Sequence, residues 1–302
     1  MRTSIAEFET KDGPGVAREW RRKRSRDVYS SQVPGALNYL GKAPARPVSY
    51  LFEPPEGTPR ENCEYDARTV PIRDARVMAS SLSLDRNGFE LWEAPSRVGD
   101  FRDESKVVER YYPEAAELAL LATGGTRAHV FDHLVRLREL GEPTMTLGAR
   151  PGSSHPGPAG RVHNDYSEAS GAKRFGLVLE GQSPRGRYCI VNLWRSIRRT
   201  PVLDTPLAVC DARTVDPADL VASEIRYPSR TGEIYLVRHN PAHAWAYFSA
   251  MERDEVLVFK QYDSDQEGVA RFTPHAAFDL PNVPTGWPPR HSIEIRCLVT
   301  FE

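Results

Sequence analysis

The sequence predicts a mainly β protein with flanking helices, built on a double-stranded β-helix (jelly-roll) core. Two observations lead to this fold class. About eight short segments with strand-like composition follow one another in the last 140 residues or so, which is the number that a jelly roll or another two-sheet sandwich requires. Glycine and proline are also abundant, with 21 and 25 residues respectively, as is usual in turn-rich β proteins.

Turn-rich pieces separate the candidate core strands, which all lie in the C-terminal half of the chain. These strands cover residues 161–166, 187–195, 206–212, 232–238, 244–249, 255–262, 270–278 and 291–301. Prolines and short extended segments before them predict an α+β N-terminal elaboration. We therefore divide the chain into a polar N-terminal arm (1–30) and a single domain (31–302), in which residues 31–160 support a jelly-roll core at residues 161–302.

Local patterns predict the regular elements of the N-terminal elaboration. Residues 76–92 read as two strands joined by a turn at Asp85–Gly88, because Asn-Gly is favoured in tight hairpin turns. A helix is predicted over residues 113–122, where a proline opens the first turn and two glycines follow the end. A strand over residues 126–135 and a long Gly- and Pro-rich loop over residues 141–160 complete this part.

The composition excludes several classes of function. The chain has 302 residues, of which 40% are hydrophobic, and its 40 basic and 41 acidic residues give a net charge of -1. This neutral balance argues against nucleic acid as a partner. No stretch approaches the roughly 18 consecutive apolar residues of a membrane span. The N-terminus also lacks the apolar core of a signal peptide.

Four scattered cysteines show neither CxxC spacing nor the pattern of a disulfide framework. They are Cys63, Cys189, Cys210 and Cys297. We therefore expect a cytoplasmic protein that acts on a small molecule, without a nucleic-acid or membrane partner. The sequence leaves open whether the protein is a monomer or a homodimer.

His163-Asn164-Asp165 is the only place in the chain where an acid follows a histidine by two positions. On a strand, residues i and i+2 point to the same face, so the imidazole and the carboxylate converge. Two histidines and one carboxylate on one face of a metal are typical of non-haem Fe(II) oxygenases. Because roughly one such triplet is expected by chance in a chain of this composition, the interpretation depends on the residues that follow.

Two histidines compete for the third ligand position, His275 and His243. In the double-stranded helix of these oxygenases, the histidine–acid pair lies on the second core strand and the distal histidine on the seventh. Taking residues 161–166 as the second strand makes residues 270–278 the seventh and 291–301 the eighth. Strand counting therefore favours His275, whereas a ligand at His243 leaves too many strands after it.

A 2-oxoglutarate cosubstrate, chelating iron through its C1 carboxylate and 2-oxo group, needs a buried cation for its C5 carboxylate. A planar guanidinium binds such a group in a fork. Four polar residues share one face of the last strand, while apolar residues fill the other face, so the strand is packed in a sheet. The polar residues are Arg290, Ser292, Glu294 and Arg296, and the apolar ones are Ile293, Ile295, Cys297 and Val299. We prefer Arg296 as the anchor and keep Arg290 as the alternative.

Candidate substrate residues come from two regions of the chain. Tyr39 and Tyr65 of the N-terminal elaboration line the substrate mouth in one interpretation and are ordinary partly buried tyrosines in the other. On a core strand, alternation puts Asn192 and Trp194 on one face and Arg195 on the other. Arg195 either binds an acidic group of the substrate or pairs with a carboxylate of the fold. His243 remains a substrate candidate if it is not a ligand.

Several segments resemble the AsaB/CmcJ-like hydroxylase and desaturase group of Fe(II)/2-oxoglutarate oxygenases from secondary metabolism. The resemblance extends from about residue 35 to residue 302, and the matches at 254–264 and 272–275 are the most specific. The matching segments are 84–90, 111–114, 162–167, 192–195, 240–245, 254–264, 272–275 and 292–296.

The resemblance implies a jelly-roll core, an Fe(II) ion, 2-oxoglutarate and O2. It also implies a facial triad of His163, Asp165 and His275, with Arg296 or Arg290 at the cosubstrate. Ser292, on the same face of the last strand, is a further candidate for binding the cosubstrate. Members of the group often carry Trp-Arg-Pro where this chain has Trp-Arg-Ser at 194–196, and a basic residue at the position of Ala244. These departures lie beside the expected pocket, so they leave the substrate open.

The activity that these expectations imply is oxidation of an unactivated C–H bond in a small natural product or an amino-acid-derived compound. Hydroxylation, desaturation and ring closure all remain open, with succinate and CO2 released from the cosubstrate. The alternative is a jelly-roll metal-dependent enzyme or binding protein that does not use 2-oxoglutarate.

Overall fold

Two curled β-sheets dominate the computed structural model, which describes residues 6–9, 20–25, 32–139 and 155–301. The first sheet contains β1 (Ala6–Glu9), β2 (Arg21–Arg22), β6 (Phe89–Glu93), β7 (Arg127–Leu137), β9 (Tyr188–Ser196), β14 (Glu255–Asp263) and β16 (His291–Thr300). The second sheet contains β3 (Gln32–Leu40), β4 (Val48–Tyr50), β5 (Tyr65–Asp74), β8 (His163–Asn164), β10 (Leu207–Cys210), β11 (Leu220–Arg226), β12 (Thr231–Val237), β13 (Trp245–Tyr247) and β15 (His275–Ala277).

The strand order confirms the predicted double-stranded helix. In the first sheet the order is β1-β7-β16-β9-β14-β6-β2, and in the second it is β3-β5-β13-β10-β15-β8-β12-β11-β4. The last strand, β16, lies between β7 and β9 and is antiparallel to both. In the second sheet, β8 lies between β12 and β15, again antiparallel to both. Apart from β11 and β12, which pair directly, chain neighbours are thus separated in the sheets, as in a jelly roll.

Apolar side chains from both sheets meet in one core cluster between them. Phe89, Leu257 and Phe259 come from the first sheet, and Leu207 and Val209 come from the second. These residues alternate along their strands with side chains on the opposite face, which is the pattern that a strand packed on both sides requires. Polar side chains also point into the interior near this cluster.

Helices cover the outer face of the first sheet. A short α1 (Glu104–Lys106) leads through a π-helical turn at Val107–Tyr111 into α2 (Tyr112–Thr123), which confirms the helix predicted over 113–122. Its Tyr112 and Ala116 pack in the same cluster as Ile293 and Ile295 of β16, so the predicted apolar face of the last strand is buried under this helix. Among the described residues, no helix is long and apolar enough to cross a membrane.

The predicted hairpin at 76–92 is wrong in its first half. Ala75–Ser81 is a 3-10 helix, capped by the Asp74 side chain, and only β6 after the turn is a strand. The Arg76 guanidinium forms a buried two-point ion pair with Glu255, which fixes the helical turn against β14. This long-range pair outweighs the local Asn-Gly preference. Gly88 still has the expected positive φ of 88°, where an added Cβ would lie 2.2 Å from Thr273 Oγ1.

Several elements were not predicted individually, among them α3 (Glu168–Val178) and strands β3, β5 and β11. Helix α3 begins with a capping box between Ser167 and Ser170, a serine pair in place of the more familiar Ser–Glu pair. The predicted loop at 141–160 and the arm at 1–30 lie largely outside the described residues. The division of the chain at residue 31 stays a prediction.

Candidate metal centre

The two strands at the centre of the second sheet bring His163, Asp165 and His275 together. His163 on β8 and His275 on β15 are direct cross-strand partners, with ring centroids 4.3 Å apart. Asp165 follows His163 by two residues and faces the same side. One potential ligand atom from each of the three residues lies within 4.8 Å of the other two. The geometry therefore offers two imidazole nitrogens and a carboxylate oxygen to one ion.

Backbone carbonyls orient both imidazoles. His163 Nδ1 donates to the carbonyl of Arg161 at 2.9 Å, and His275 Nδ1 donates to the carbonyl of Thr273 at 3.3 Å. Because each Nδ1 carries the proton, each Nε2 keeps its lone pair for a metal. Burial and the neighbouring His163 lower the pKa of His275 to about 3, which keeps that ring neutral at physiological pH.

The Asp165 carboxylate is held by several donors. Asn192 Nδ2 and Arg296 Nε both donate to its Oδ2, at 2.9 and 3.0 Å, and its backbone N–H donates to Gln261 Oε1 at 2.8 Å. The other oxygen, Oδ1, lies 3.5 Å from His163 Nε2. Burial opposes ionisation of Asp165, but the charge of Arg296 outweighs it and holds the pKa of the carboxyl well below the usual value.

This donor set fits Fe(II). Two neutral imidazoles and one ionised carboxylate on one side form the facial triad of non-haem iron oxygenases, in which the opposite side stays open for other ligands. Of the sequence-based candidates for the third ligand, the structure brings His275 into the group and not His243.

Arg290 is buried in the wall of the first sheet and has unused hydrogen-bonding capacity. Its Nη1 donates to the carbonyl of Thr205 at 2.7 Å, while its Nε has no hydrogen-bond partner among the described residues. The Ser292 hydroxyl, on the same strand face, is also buried and has no partner in the described part of the chain. Burial and the adjacent Arg136 lower the pKa of Arg290 to about 9, so the guanidinium is still a cation at neutral pH. Unsatisfied buried donors of this kind mark a ligand position.

Arg296, the preferred anchor from the sequence, has a different set of partners. It donates to three carboxylates: Asp165, Asp132 at 2.9 Å and Glu294 at 2.7 Å. With its guanidinium committed to these groups, Arg296 is a poorer candidate for binding a free carboxylate than Arg290. The geometry thus favours the alternative that the sequence left open.

Strand β9 separates its three candidate residues as alternation predicts. Asn192 and Trp194 face the interior, where Asn192 reaches Asp165 and Trp194 packs 5.5 Å from the Arg290 guanidinium carbon. Arg195 points to the opposite face, donates to the Ala94 carbonyl and lies over the Tyr111 ring. Within the described residues, the partners of Arg195 are a carbonyl and an aromatic ring under the helical cover, and no carboxylate pairs with it. A role of Arg195 at the substrate stays a prediction.

Tyr39 and His243 form a separate cluster on the other face of the second sheet. The Tyr39 ring is fully buried, stacks on His243 at 5.8 Å and accepts a hydrogen bond from Trp245 at 2.6 Å. His243 Nε2 lies 3.1 Å from Asp219 Oδ2. Tyr39 packs with Val162, the neighbour of His163 that points away from the metal ligands. The structure therefore places both residues away from the candidate pocket.

Tyr65 is linked to the site through Arg161. The Arg161 side chain, on the same strand face as His163, donates to Glu61 at 3.2 Å and lies 3.4 Å from the Tyr65 hydroxyl. Tyr65 in turn donates to Glu61 at 2.5 Å. This network links the N-terminal elaboration to the strand that carries His163. The position of Tyr65 at a substrate mouth stays a prediction.

Some residues of the site were not singled out from the sequence. Gln261, Thr273, Asp132 and Arg136 all lie at or beside the ligands, and two of them fall within the segments 254–264 and 272–275 that match the family most specifically. A search for polar residues on inward-facing positions of apolar strands would have found Gln261. Asp132 and Arg136 could be found only from the cross-strand register of β7 and β16, which the sequence does not give.

The chain is similar to known oxygenases over most of its length. A family model described as an oxidoreductase/YMDC permease-like domain matches residues 37–300. Hydroxylase/desaturase efuI of Hormonema carpetanum is 33% identical over 91% of this chain and 97% of its own length. Fe(II)/2-oxoglutarate-dependent dioxygenase nvfI of Aspergillus novofumigatus is 31% identical over 83% of this chain and 89% of its own. The solved structure of the iron and alpha-ketoglutarate-dependent endoperoxidase NvfI matches with a TM-score of 0.77 at 25% identity, over 90% of this chain and 98% of that one.

The fold and the donor set define a class, the jelly-roll oxygenases with a two-histidine, one-carboxylate metal centre. More particularly, the chain belongs to the AsaB/CmcJ-like hydroxylase/desaturase group of the Fe(II)/2-oxoglutarate-dependent oxygenases. It is a dioxygenase with Fe(II), 2-oxoglutarate and O2 as cofactors and cosubstrates. The family, the fold, the reaction class and the cofactors predicted from the sequence are thus confirmed.

Proposed function

We propose that His163, Asp165 and His275 hold the iron and that Arg290 with Ser292 holds the C5 carboxylate of 2-oxoglutarate. The observation that carries this proposal is the pair of unsatisfied buried donors, Arg290 Nε and Ser292 Oγ, on the sheet that faces the three ligands. A carboxylate placed there would accept a charge-assisted bond from the guanidinium and a second bond from the hydroxyl.

The residues of the chain then have separate tasks. When bound, Fe(II) and 2-oxoglutarate would supply the electrons that activate O2 for oxidation of a C–H bond, with 2-oxoglutarate converted to succinate and CO2. The carbonyls of Arg161 and Thr273 keep the two imidazoles in the ligating tautomer. Asn192 and Arg296 hold one oxygen of Asp165, which leaves its other oxygen for the ion.

The substrate in this proposal is a small natural product or an amino-acid-derived compound, entering beside Arg161 and Tyr65. The relatives are named hydroxylase/desaturase and endoperoxidase, so more than one outcome is available to this fold. Whether this chain hydroxylates, desaturates or closes a ring depends on how it positions the substrate carbon. The neutral charge and free cysteines support a protein of the cytoplasm that does not bind nucleic acid.

The proposed anchor is tested by Arg290→Met, with Arg60→Met, an exposed arginine paired with Glu53, as the matched control. The wild type should convert 2-oxoglutarate to succinate when given Fe(II) and air. In Arg290→Met, the Kd of 2-oxoglutarate should rise roughly 10- to 100-fold, because one charge-assisted pair is lost, while Fe(II) affinity is retained. Unchanged 2-oxoglutarate affinity in Arg290→Met would reject the anchor. Absence of succinate from the wild type would favour a jelly-roll enzyme that does not use 2-oxoglutarate.

A further inference from the structure

Most arginines around the interior between the two sheets have a carboxylate partner. Arg161 pairs with Glu61, Arg138 with Asp204, and Arg296 with three acids. Arg136 and Arg290 differ, because neither lies within ion-pair distance of a carboxylate in the described part of the chain. Arg290 is buried and Arg136 is partly buried, and a cation shielded from water is costly without a counter-charge unless a ligand supplies one. Both cations are therefore candidate positions for anionic groups of ligands.

The strand register places Arg136 on the inner face. It lies directly opposite Ser292 of β16, and directly opposed residues of antiparallel strands share a face. Its neighbour Val135 packs in the cluster under helix α2, on the other face. His133, two positions before Val135 on β7 and therefore on the same face, contacts Tyr112 of that helix. Arg136 thus projects towards the proposed cosubstrate anchor and the metal ligands.

The Arg136 guanidinium uses little of its hydrogen-bonding capacity. Its one hydrogen bond within the described residues runs from Nη1 to the carbonyl of Gly157 at 2.8 Å, although a guanidinium carries five N–H donors. Burial lowers the pKa of Arg136, and the nearby Glu294 acts against this shift without bonding to the guanidinium. The charge of Asp165 also acts on Arg136, in agreement with the strand register that places Arg136 on the metal side of the interior.

We propose that Arg136 binds an anionic group of the organic substrate, so that the substrate is a carboxylic acid or an acid of similar charge. This inference rests on the proposed function, in which the C5 carboxylate of 2-oxoglutarate satisfies Arg290 and its C1 carboxylate goes to the metal. One interior cation is then left for a second ligand. A planar guanidinium with several free donors matches a carboxylate in a two-point contact.

The test uses the full chain with Fe(II) and 2-oxoglutarate under anaerobic conditions. The probes are matched pairs of apolar carboxylic acids and their methyl esters: benzoic, cinnamic and decanoic acid with the corresponding esters. Equilibrium dialysis measures binding to the wild type, to Arg136→Met, to Arg136→Lys and to the control Arg60→Met. Melting temperatures verify that each variant is folded, and the Kd of 2-oxoglutarate is measured in parallel.

We expect the wild type and Arg60→Met to bind at least one acid about tenfold more tightly than its ester. Arg136→Met should lose this preference, and Arg136→Lys should retain only part of it, since lysine cannot make the two-point contact. The Kd of 2-oxoglutarate should stay within about threefold of the wild type in Arg136→Met. These results would then show that Arg136 binds the anionic group of the substrate and that it does not bind 2-oxoglutarate.

Three results would overturn the inference. Acids and esters could bind the wild type equally, or the preference for acids could survive in Arg136→Met. A loss of 2-oxoglutarate affinity of about tenfold or more in Arg136→Met would assign this cation to the cosubstrate instead. Failure of the proposed function is recognised separately, because the wild type would then bind no 2-oxoglutarate and form no succinate.

Discussion

Arg296 donates from Nε to Oδ2 of Asp165 at 3.0 Å, so the cation of the last strand supports a candidate metal ligand directly. Asn192 donates to the same oxygen at 2.9 Å. With both donors on Oδ2, the carboxylate is fixed in rotation, and Oδ1 is the oxygen left for the metal. Asp132 and Glu294 hold the other end of the guanidinium, which makes Arg296 a rigid positioning residue.

Replacing Arg296 by methionine should therefore weaken metal binding. Partners that orient a ligand are worth roughly 10- to 100-fold in metal affinity, and we expect a loss in that range for Fe(II) or Co(II). Titration of the metal-free protein with Co(II), followed by its visible absorption, measures this directly. Arg290→Met serves as the comparison and should bind the metal like the wild type.

The opposite pattern would restore the sequence-based preference for Arg296 as the cosubstrate anchor. In that case Arg296→Met would bind metal normally and lose affinity for 2-oxoglutarate, while Arg290→Met would retain its affinity for both.

The buried His275 predicts how the stability of the metal-free protein depends on pH. Burial and His163 lower its pKa to about 3 in the folded chain, against 6.5 for an ordinary histidine. Between these values the unfolded chain takes up a proton that the folded chain does not. Acidification from pH 6.5 to 4.5 should therefore reduce the free energy of unfolding, by about 2 kcal/mol from this residue.

Urea denaturation of the metal-free wild type and of His275→Gln at both pH values isolates this contribution. Glutamine does not titrate, so the variant should lose about 2 kcal/mol less than the wild type over the same interval. Equal losses in the two proteins would show that His275 is not held neutral by its surroundings.

Much of the fold follows from local sequence patterns. Alternation along residues 293–299 predicted a strand with one apolar face, and Ile293 and Ile295 are indeed buried under helix α2. Proline and glycine punctuation located that helix to within one residue at each end. The hairpin prediction failed because the ion pair of Arg76 with Glu255 joins residues far apart in sequence. No local pattern reports such a contact.

The same distinction applies to the site. Spacing alone placed His163 and Asp165 on one face, and strand counting selected His275 over His243. The choice between Arg290 and Arg296 was beyond such reasoning, because both lie on one face of one strand. Only the partners across the sheet and the interior distinguish them: three acids for Arg296 and a single carbonyl for the Arg290 guanidinium.

The central claim is that His163, Asp165 and His275 bind iron beside 2-oxoglutarate. Its most direct test is anaerobic titration of the protein with Fe(II) and 2-oxoglutarate, monitored for the weak visible charge-transfer band of the bound pair. The band should form in the wild type and in His243→Ala, whose histidine lies in a separate cluster with Tyr39. It should be absent from His275→Ala. A band that survives in His275→Ala and vanishes in His243→Ala would contradict the assignment.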